Sequence, residues 1–226
     1  MLKEESKKTQ AHYPKDKSFL FWTLIVSSLA LLLFIYWLVI IDKNSVPDQR
    51  VFDFFSTQIT TNRTSIMSSV SFLGNHKFLI PANLVLIFYF VLRKKKWDGF
   101  RVLFVAITSL GMMSLLKNLV QRQRPFDPLI DGITNYSFPS GHAFMSVAFF
   151  GLLIYFAIYN ERYKWLENIF ITAVLLLIFI IGISRIYLRV HYTTDVIAGW
   201  ICGSLWLVFC FYLLNRIKRK IPVEKK

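Results

Sequence analysis

Between Phe19 and Ile41 the chain runs 23 residues without a charged side chain. Wound as an α-helix, that stretch is ~34 Å long, enough to cross the hydrocarbon core of a bilayer. The run is longer than the apolar part of a signal peptide, and no small-residue cleavage site follows it, so it reads as a retained helix. Five more apolar segments follow, roughly Phe78–Leu92, Val102–Leu116, Ala143–Tyr159, Ile169–Ile183 and Val196–Leu214. Several uncharged cores are short, but flanking residues can extend each of them. The expected fold is all-α: a polytopic membrane protein of six transmembrane helices.

Composition agrees. Hydrophobic residues make up 55% of the chain and charged ones 18%, with a mean hydropathy of +0.48. Soluble domains carry about 45–50% apolar and about 25% charged residues. A soluble globular enzyme, a disordered chain and a disulfide-stapled secreted domain are all excluded. The net charge of +14 would suggest nucleic acid in a soluble domain. In a membrane protein it points to cytoplasmic flanks against anionic headgroups, so membrane lipids are expected as partners and nucleic acid is not. Cys202 and Cys210 sit about 12 Å apart on one helix, too far for a disulfide.

Lys and Arg placement orients the helices. With both termini inside, the inner segments hold twice the Lys and Arg of the outer ones, and Arg93, Lys94, Lys95 and Lys96 form the clearest anchor. The loops after helices 1, 3 and 5 then face outward. The first of these, about 42–77, repeats apolar residues such as Val51, Phe55, Ile59 and Ile66 at near-helical intervals. It reads as an interfacial helix, as a short cap packed on the bundle, or as both. The Asn-x-Ser/Thr sequons at Asn62 and Asn135 are chance matches to a short pattern. The expected layout is a cytoplasmic tail at 1–18, a six-helix domain at 19–215 and a basic cytoplasmic tail at 216–226.

Three polar clusters fall at outer helix ends. Lys117 and Arg124 lie seven residues apart near the end of the third helix, so two turns place both on one face. Cations at that depth are costly without an anion, although snorkelling to headgroups would also serve. Pro139, Ser140, Gly141 and His142 open the fourth helix. A helix start of this kind presents free backbone N–H groups to an anion, or is an ordinary cap with Ser140 as N-cap. Ser184 and Arg185 end the fifth helix, followed by His191 and Asp195. A carboxylate on one imidazole nitrogen makes the other a better nucleophile or base; the plainer reading is a His–Asp contact that caps the helix. Together, three cations, a helix N-terminus and two histidines suit phosphoryl transfer on a bound oxyanion. Two His and one Asp could ligate a zinc ion, but the neighbouring cations oppose a metal. The residues alone leave open which histidine attacks.

These clusters read Lys117…Arg124-Pro125, Pro139-Ser140-Gly141-His142 and Ser184-Arg185…His191…Asp195. They match the motifs K-x6-R-P, P-S-G-H and S-R-x5-H-x3-D, and the chain resembles the type 2 phosphatidic acid phosphatase (PAP2) superfamily of integral-membrane lipid phosphatases. The resemblance implies roles. His191 attacks phosphorus and becomes a phosphohistidine, and Asp195 orients it. His142 protonates the leaving oxygen, then activates water. Lys117, Arg124 and Arg185 hold the phosphate oxygens, with Ser140 and the Gly141 N–H adding hydrogen bonds. No metal and no other cofactor is implied.

Arg189 stands where many bacterial members carry Gly, and Thr193 where many carry Pro. Arg189 could touch a second phosphate or simply lie near headgroups. The implied substrate is an amphiphilic lipid phosphate entering from the outer leaflet, with undecaprenyl pyrophosphate as first choice. Phosphatidylglycerol phosphate and phosphatidic acid are the alternatives. From another class stands a lipid-binding or transport protein that kept the fold without turnover. A vanadate peroxidase shares the motifs but would lack the six apolar helices. Oligomeric state is not legible in the sequence.

Overall fold

The computed structural model describes residues 15–41, 46–158 and 164–220. The expected tails at 1–18 and 216–226 fall largely outside them. The parts that are described continue helices rather than leave them: α1 (Lys15–Tyr36) starts within the first tail, and α8 (Thr193–Lys220) runs on into the second. Between them lie α2 (Val46–Ser56), α3 (Thr61–Phe72), α4 (His76–Leu92), α5 (Lys96–Val120), α6 (Gly141–Ile158) and α7 (Lys164–Tyr187). A short π-helical turn, Trp37–Ile41, extends α1.

Six helical stretches are long and apolar enough to cross a membrane: Phe21–Ile41, Thr61–Leu92, Lys96–Val120, Gly141–Ile158, Lys164–Tyr187 and Thr193–Arg219. The protein is therefore an all-α, integral membrane protein, as its apolar runs imply. Leu33, Val85, Leu119 and Leu175 are among many large apolar side chains left facing outward, the surface a lipid solvent accepts and water does not.

α6 is the centre. It packs against α7, α8 and α5, while α4 pairs with α5 and α1 lies on α8. Its Ala143, Phe144 and Leu152 are fully buried. Lipid supplies no hydrophobic force between helices, so close approach through small residues has to do that work. Here α8 provides Gly199 and Gly203. A Cβ on Gly199 would stand 2.7 Å from the Ser140 carbonyl oxygen, and one on Gly203 2.8 Å from that of Phe144. This closeness brings the α6 and α8 N-termini together, where the Ser140 N–H donates to the Asp195 carbonyl at 2.9 Å.

The stretch between α1 and α4 forms two helices among the described residues. α2 packs on α7 and α8, and α3 packs on α7. Of the apolar repeat, Val51, Phe55 and Ile59 pack against buried clusters, whereas Phe54, Ile66 and Phe72 are exposed, so the repeat marks a packed face only in part. Thr60 caps α3 and Asn75 caps α4, each accepting a backbone N–H within the first turn.

Candidate active site

Two geometric expectations are corrected. The helix carrying Lys117 ends at Val120, with Gln121 in the left-handed conformation at φ 52°. Arg124 therefore lies in the following loop and shares no helix face with Lys117. The two converge because the loop folds back. Lys117 Nζ donates to the Tyr136 carbonyl, and Arg124 Nη2 reaches the same oxygen at 3.3 Å. Likewise His191 precedes α8, so it and Asp195 do not share a helix face. Asp195 sits in the first turn of α8 and reaches back to accept the Tyr192 N–H at 2.9 Å, the reciprocal half of a capping box.

The loop is tied down by its own cation. Arg124 donates to the Asn135 carbonyl at 2.6 Å and to the Val190 carbonyl at 2.5 Å, and to the Asn135 side-chain oxygen. Asn135 thus anchors Arg124 through both its oxygens. Arg124 Nη1 also stands 3.3 Å from His191 Nε2. On the other side, Arg185 Nη1 donates to Ser71 Oγ of α3. The Arg185 carbonyl accepts the Val190 N–H at 3.2 Å and the His191 N–H at 3.3 Å.

His191 and Asp195 are buried, at 2% and 0% exposed. His191 Nδ1 and Asp195 Oδ2 are 3.6 Å apart, longer than a hydrogen bond. Ser137 bridges the gap: its Oγ lies 3.4 Å from His191 Nδ1 and donates to Asp195 Oδ2. Asp195 Oδ1 is held by Arg122 Nη1 at 2.5 Å. Sequence reasoning missed Ser137, Arg122 and Asp48, which pairs with Arg122 at 2.8 Å. Ser137 stands two residues before Pro139, and no pattern flags it. Arg122 could have been suspected from the isolated charge of Asp195.

Ser140 is the N-cap of α6, with its Oγ 3.5 Å from the Ala143 N–H. Gly141 follows, and a Cβ there would touch Met113 and Lys117. His142 presses on the α3–α4 turn: a Cβ on Gly74 would lie 3.2 Å from His142 Cδ2.

Lys117, Arg124, Gly141, His142, Arg185 and His191 line one cavity of about 750 Å³. Among the described residues none of Lys117, Arg124 and Arg185 is ion-paired with a carboxylate. His142 Nε2 and Arg185 Nε are buried with no hydrogen-bond partner. Buried groups of this kind are normally satisfied. Among the described residues no three His, Cys, Asp or Glu side chains gather as a metal ligand set.

Burial pushes the His191 imidazole down to about 3; Asp195 opposes this, while Arg124 and Arg185 add to it. Burial also brings Arg124 down to about 10, which leaves it charged at neutral pH. Burial alone would lower Arg122 too, but Asp195 and Asp48 outweigh it and raise the group.

Arg189 has a φ of 57°, in the left-handed region that favours glycine. Its guanidinium lies 5.7 Å over the Phe52 ring, and it is not among the cavity's lining residues.

The sequence profile of the PAP2 superfamily matches residues 98–219. Phosphatidylglycerophosphatase B of Bacillus subtilis (strain 168) is 31% identical over 159 residues, covering 69% of this chain and 75% of its own. An undecaprenyl-diphosphatase of Sulfolobus acidocaldarius is 27% identical over 216 residues, covering 92% of this chain and 96% of its own. Among solved structures, the transmembrane PAP2-type phosphatidylglycerolphosphate phosphatase from Bacillus subtilis superposes with a TM-score of 0.76. It is 25% identical and covers 89% of this chain and 98% of that one.

Proposed function

The chain belongs to the PAP2 superfamily of lipid phosphatases, and from that premise we propose that it hydrolyses its lipid phosphate at the outer membrane face through a phosphohistidine on His191. One observation carries this reading: Lys117, Arg124 and Arg185, none of them in an ion pair among the described residues, meet His142, His191 and the start of α6 at Gly141 in a single cavity. Lys117, Arg124 and Arg185 bind the phosphate oxygens and offset charge growing in the transition state. Burial keeps His191 neutral, with Ser137 and Asp195 behind Nδ1, so Nε2 carries the lone pair that attacks phosphorus. The P–O bond to the lipid breaks, and His142 gives its proton to the leaving oxygen. A water that has lost a proton to His142 then attacks the phosphohistidine, releasing phosphate and restoring both rings.

The cavity continues along apolar residues of α4 and α5, including Leu84, Ile87, Leu103 and Ile107. Ile87 lies about 16 Å along α4 from His76, so the groove offers a tail room at membrane depth. The charge bias of the sequence supports an outward site with cytoplasmic termini. Undecaprenyl pyrophosphate is the favoured substrate, because the undecaprenyl-diphosphatase resembles nearly the whole chain. Phosphatidylglycerol phosphate is the second reading, favoured by the Bacillus relative and by the structural likeness.

The test is phosphate release by purified protein in detergent with excess EDTA, offering both lipids and phosphatidic acid, with His191→Ala as control. Release that persists in EDTA and vanishes in the variant is expected, and the rate ranking identifies the substrate. Abolition by EDTA would sink the metal-free route. In sealed right-side-out vesicles, a short-chain impermeant substrate is hydrolysed without permeabilisation; latency would reverse the orientation.

A further inference from the structure

We propose that the ion pair between the buried Asp48 and the half-buried Arg122 positions Asp195 against His191, so that the first outer loop supports the catalytic centre. The inference rests on the phosphohistidine reading above. Asp48 belongs to α2, far from the three motifs in the chain, yet it is 1% exposed. Its Oδ2 accepts Arg122 Nη2 at 2.8 Å and Thr194 Oγ1 at 2.7 Å, and its Oδ1 accepts the Thr194 N–H at 3.0 Å. It therefore holds the residue that immediately precedes Asp195.

Arg122 extends the hold. One nitrogen takes Asp48, and the other takes Asp195 Oδ1 at 2.5 Å and Thr194 Oγ1 at 2.8 Å. The guanidinium plane stacks 4.0 Å over the Tyr192 ring. A planar fork can meet two carboxylates and a hydroxyl together, whereas a lysine ammonium cannot do so with the same geometry. Neither Asp48 nor Arg122 lines the phosphate cavity, so neither can touch substrate there. Both act through Asp195.

Buried ion pairs are weak devices for stability, because desolvation offsets much of the attraction. Geometry is the better account of this one. With Oδ1 fixed by Arg122, and Oδ2 by Ser137 and Tyr192, the carboxylate cannot rotate away from the His191 ring. Sharing Arg122 between two carboxylates also leaves Asp195 with negative charge to spare. That charge is needed when attack on phosphorus turns the imidazole cationic.

The experiment compares Asp48→Asn, Arg122→Gln, Arg122→Lys and the Asp48→Asn/Arg122→Gln pair with wild type and His191→Ala in detergent. It reads kcat, KM, unfolding temperature and inhibition by inorganic vanadate, a phosphate-shaped oxyanion that reports on the cation cradle. Expected is a fall in kcat of about ten- to a hundredfold, the worth of a charge-assisted hydrogen bond expressed as a rate. KM and vanadate inhibition stay within about twofold. Arg122→Lys does not restore the rate, and the double variant is no slower than Arg122→Gln, as coupled residues require. Unchanged kcat, additive losses, or a kcat loss matched by weaker vanadate binding and a lower unfolding temperature would each overturn the proposal. Asp48→Asn keeps size and shape and carries the test if Arg122→Gln does not fold. Turnover surviving in His191→Ala would instead defeat the phosphohistidine reading.

Discussion

His191 sits among conflicting influences: it is 2% exposed, it faces Arg124 and Arg185, and its carboxylate neighbour stands 3.6 Å away beside Ser137. Burial wins, and the folded ring titrates near 3 against an ordinary 6.5. The sign follows. The unfolded chain binds a proton at His191 below about pH 6.5, and the folded chain does not until about pH 3, so acid favours unfolding across that window. This contribution to stability is complete above pH 6.5 and is lost as pH falls. In detergent, the unfolding temperature should drop between pH 7 and pH 4.5, and the drop should be smaller in His191→Asn, which has nothing to titrate. An equal drop in both would place the acid sensitivity elsewhere. On the proposed mechanism the rate should likewise survive acidification through pH 6.5, since the His191 ring stays neutral. At this scale the motif residues were legible by type and spacing. Ser137, Arg122 and Asp48 were not, because their importance comes from what surrounds Asp195 rather than from any local pattern.

At the scale of elements, the apolar runs located every spanning helix, since a run of that length has few other uses. Their ends were less legible. α5 stops at Val120, ahead of Arg124 and Pro125, because Gln121 turns left-handed. His191 falls in the turn before α8 for the same kind of reason. A spacing of seven or four residues suggested a shared helix face, and the convergence was real, but the Tyr136 carbonyl produced it for Lys117 and Arg124, and Ser137 with the Tyr192 N–H for His191 and Asp195. The α6–α8 contact, by contrast, depends on residues that carry no hydropathy signal. Gly199→Ala would set a methyl 2.7 Å from the Ser140 carbonyl and 2.9 Å from the Ala143 side chain. Backbone must move, at a cost of about 1–3 kcal/mol, and the strain falls on the start of α6, next to His142. Gly111→Ala, in the interior of α5 with nothing within 4 Å of the new methyl, should instead stabilise by about 0.5–1 kcal/mol. Thermal unfolding of the two variants decides this: equal shifts would mean the helix contact is looser than described. Activity should fall only in Gly199→Ala.

For the whole molecule, the polar site and the apolar groove form one continuous cavity, and the chemistry of the two ends differs. The proposed catalysis uses the cations and histidines at one end of it. Recognition of a long tail needs α4 and α5 at membrane depth, and nothing in the sequence showed that these two helices would leave a groove between them. The two demands can be separated by blocking the groove alone. Ile107 lines it, is 60% exposed and lies ten residues before Lys117, about 15 Å along α5 from the phosphate cradle. Ile107→Trp adds bulk there without touching a charged group. Hydrolysis of a short-chain phosphate ester should keep its kcat and KM, because its tail ends above the obstruction. A long-chain lipid phosphate should show a KM raised several-fold, since its tail loses the close van der Waals packing that the groove walls provide. Its kcat should change little, because the reacting centre is intact. If both substrates slow together, the obstruction has reached the site and the groove is not a separate compartment. If neither changes, the tail lies outside α4 and α5, in the lipid itself, and the groove has no part in substrate choice.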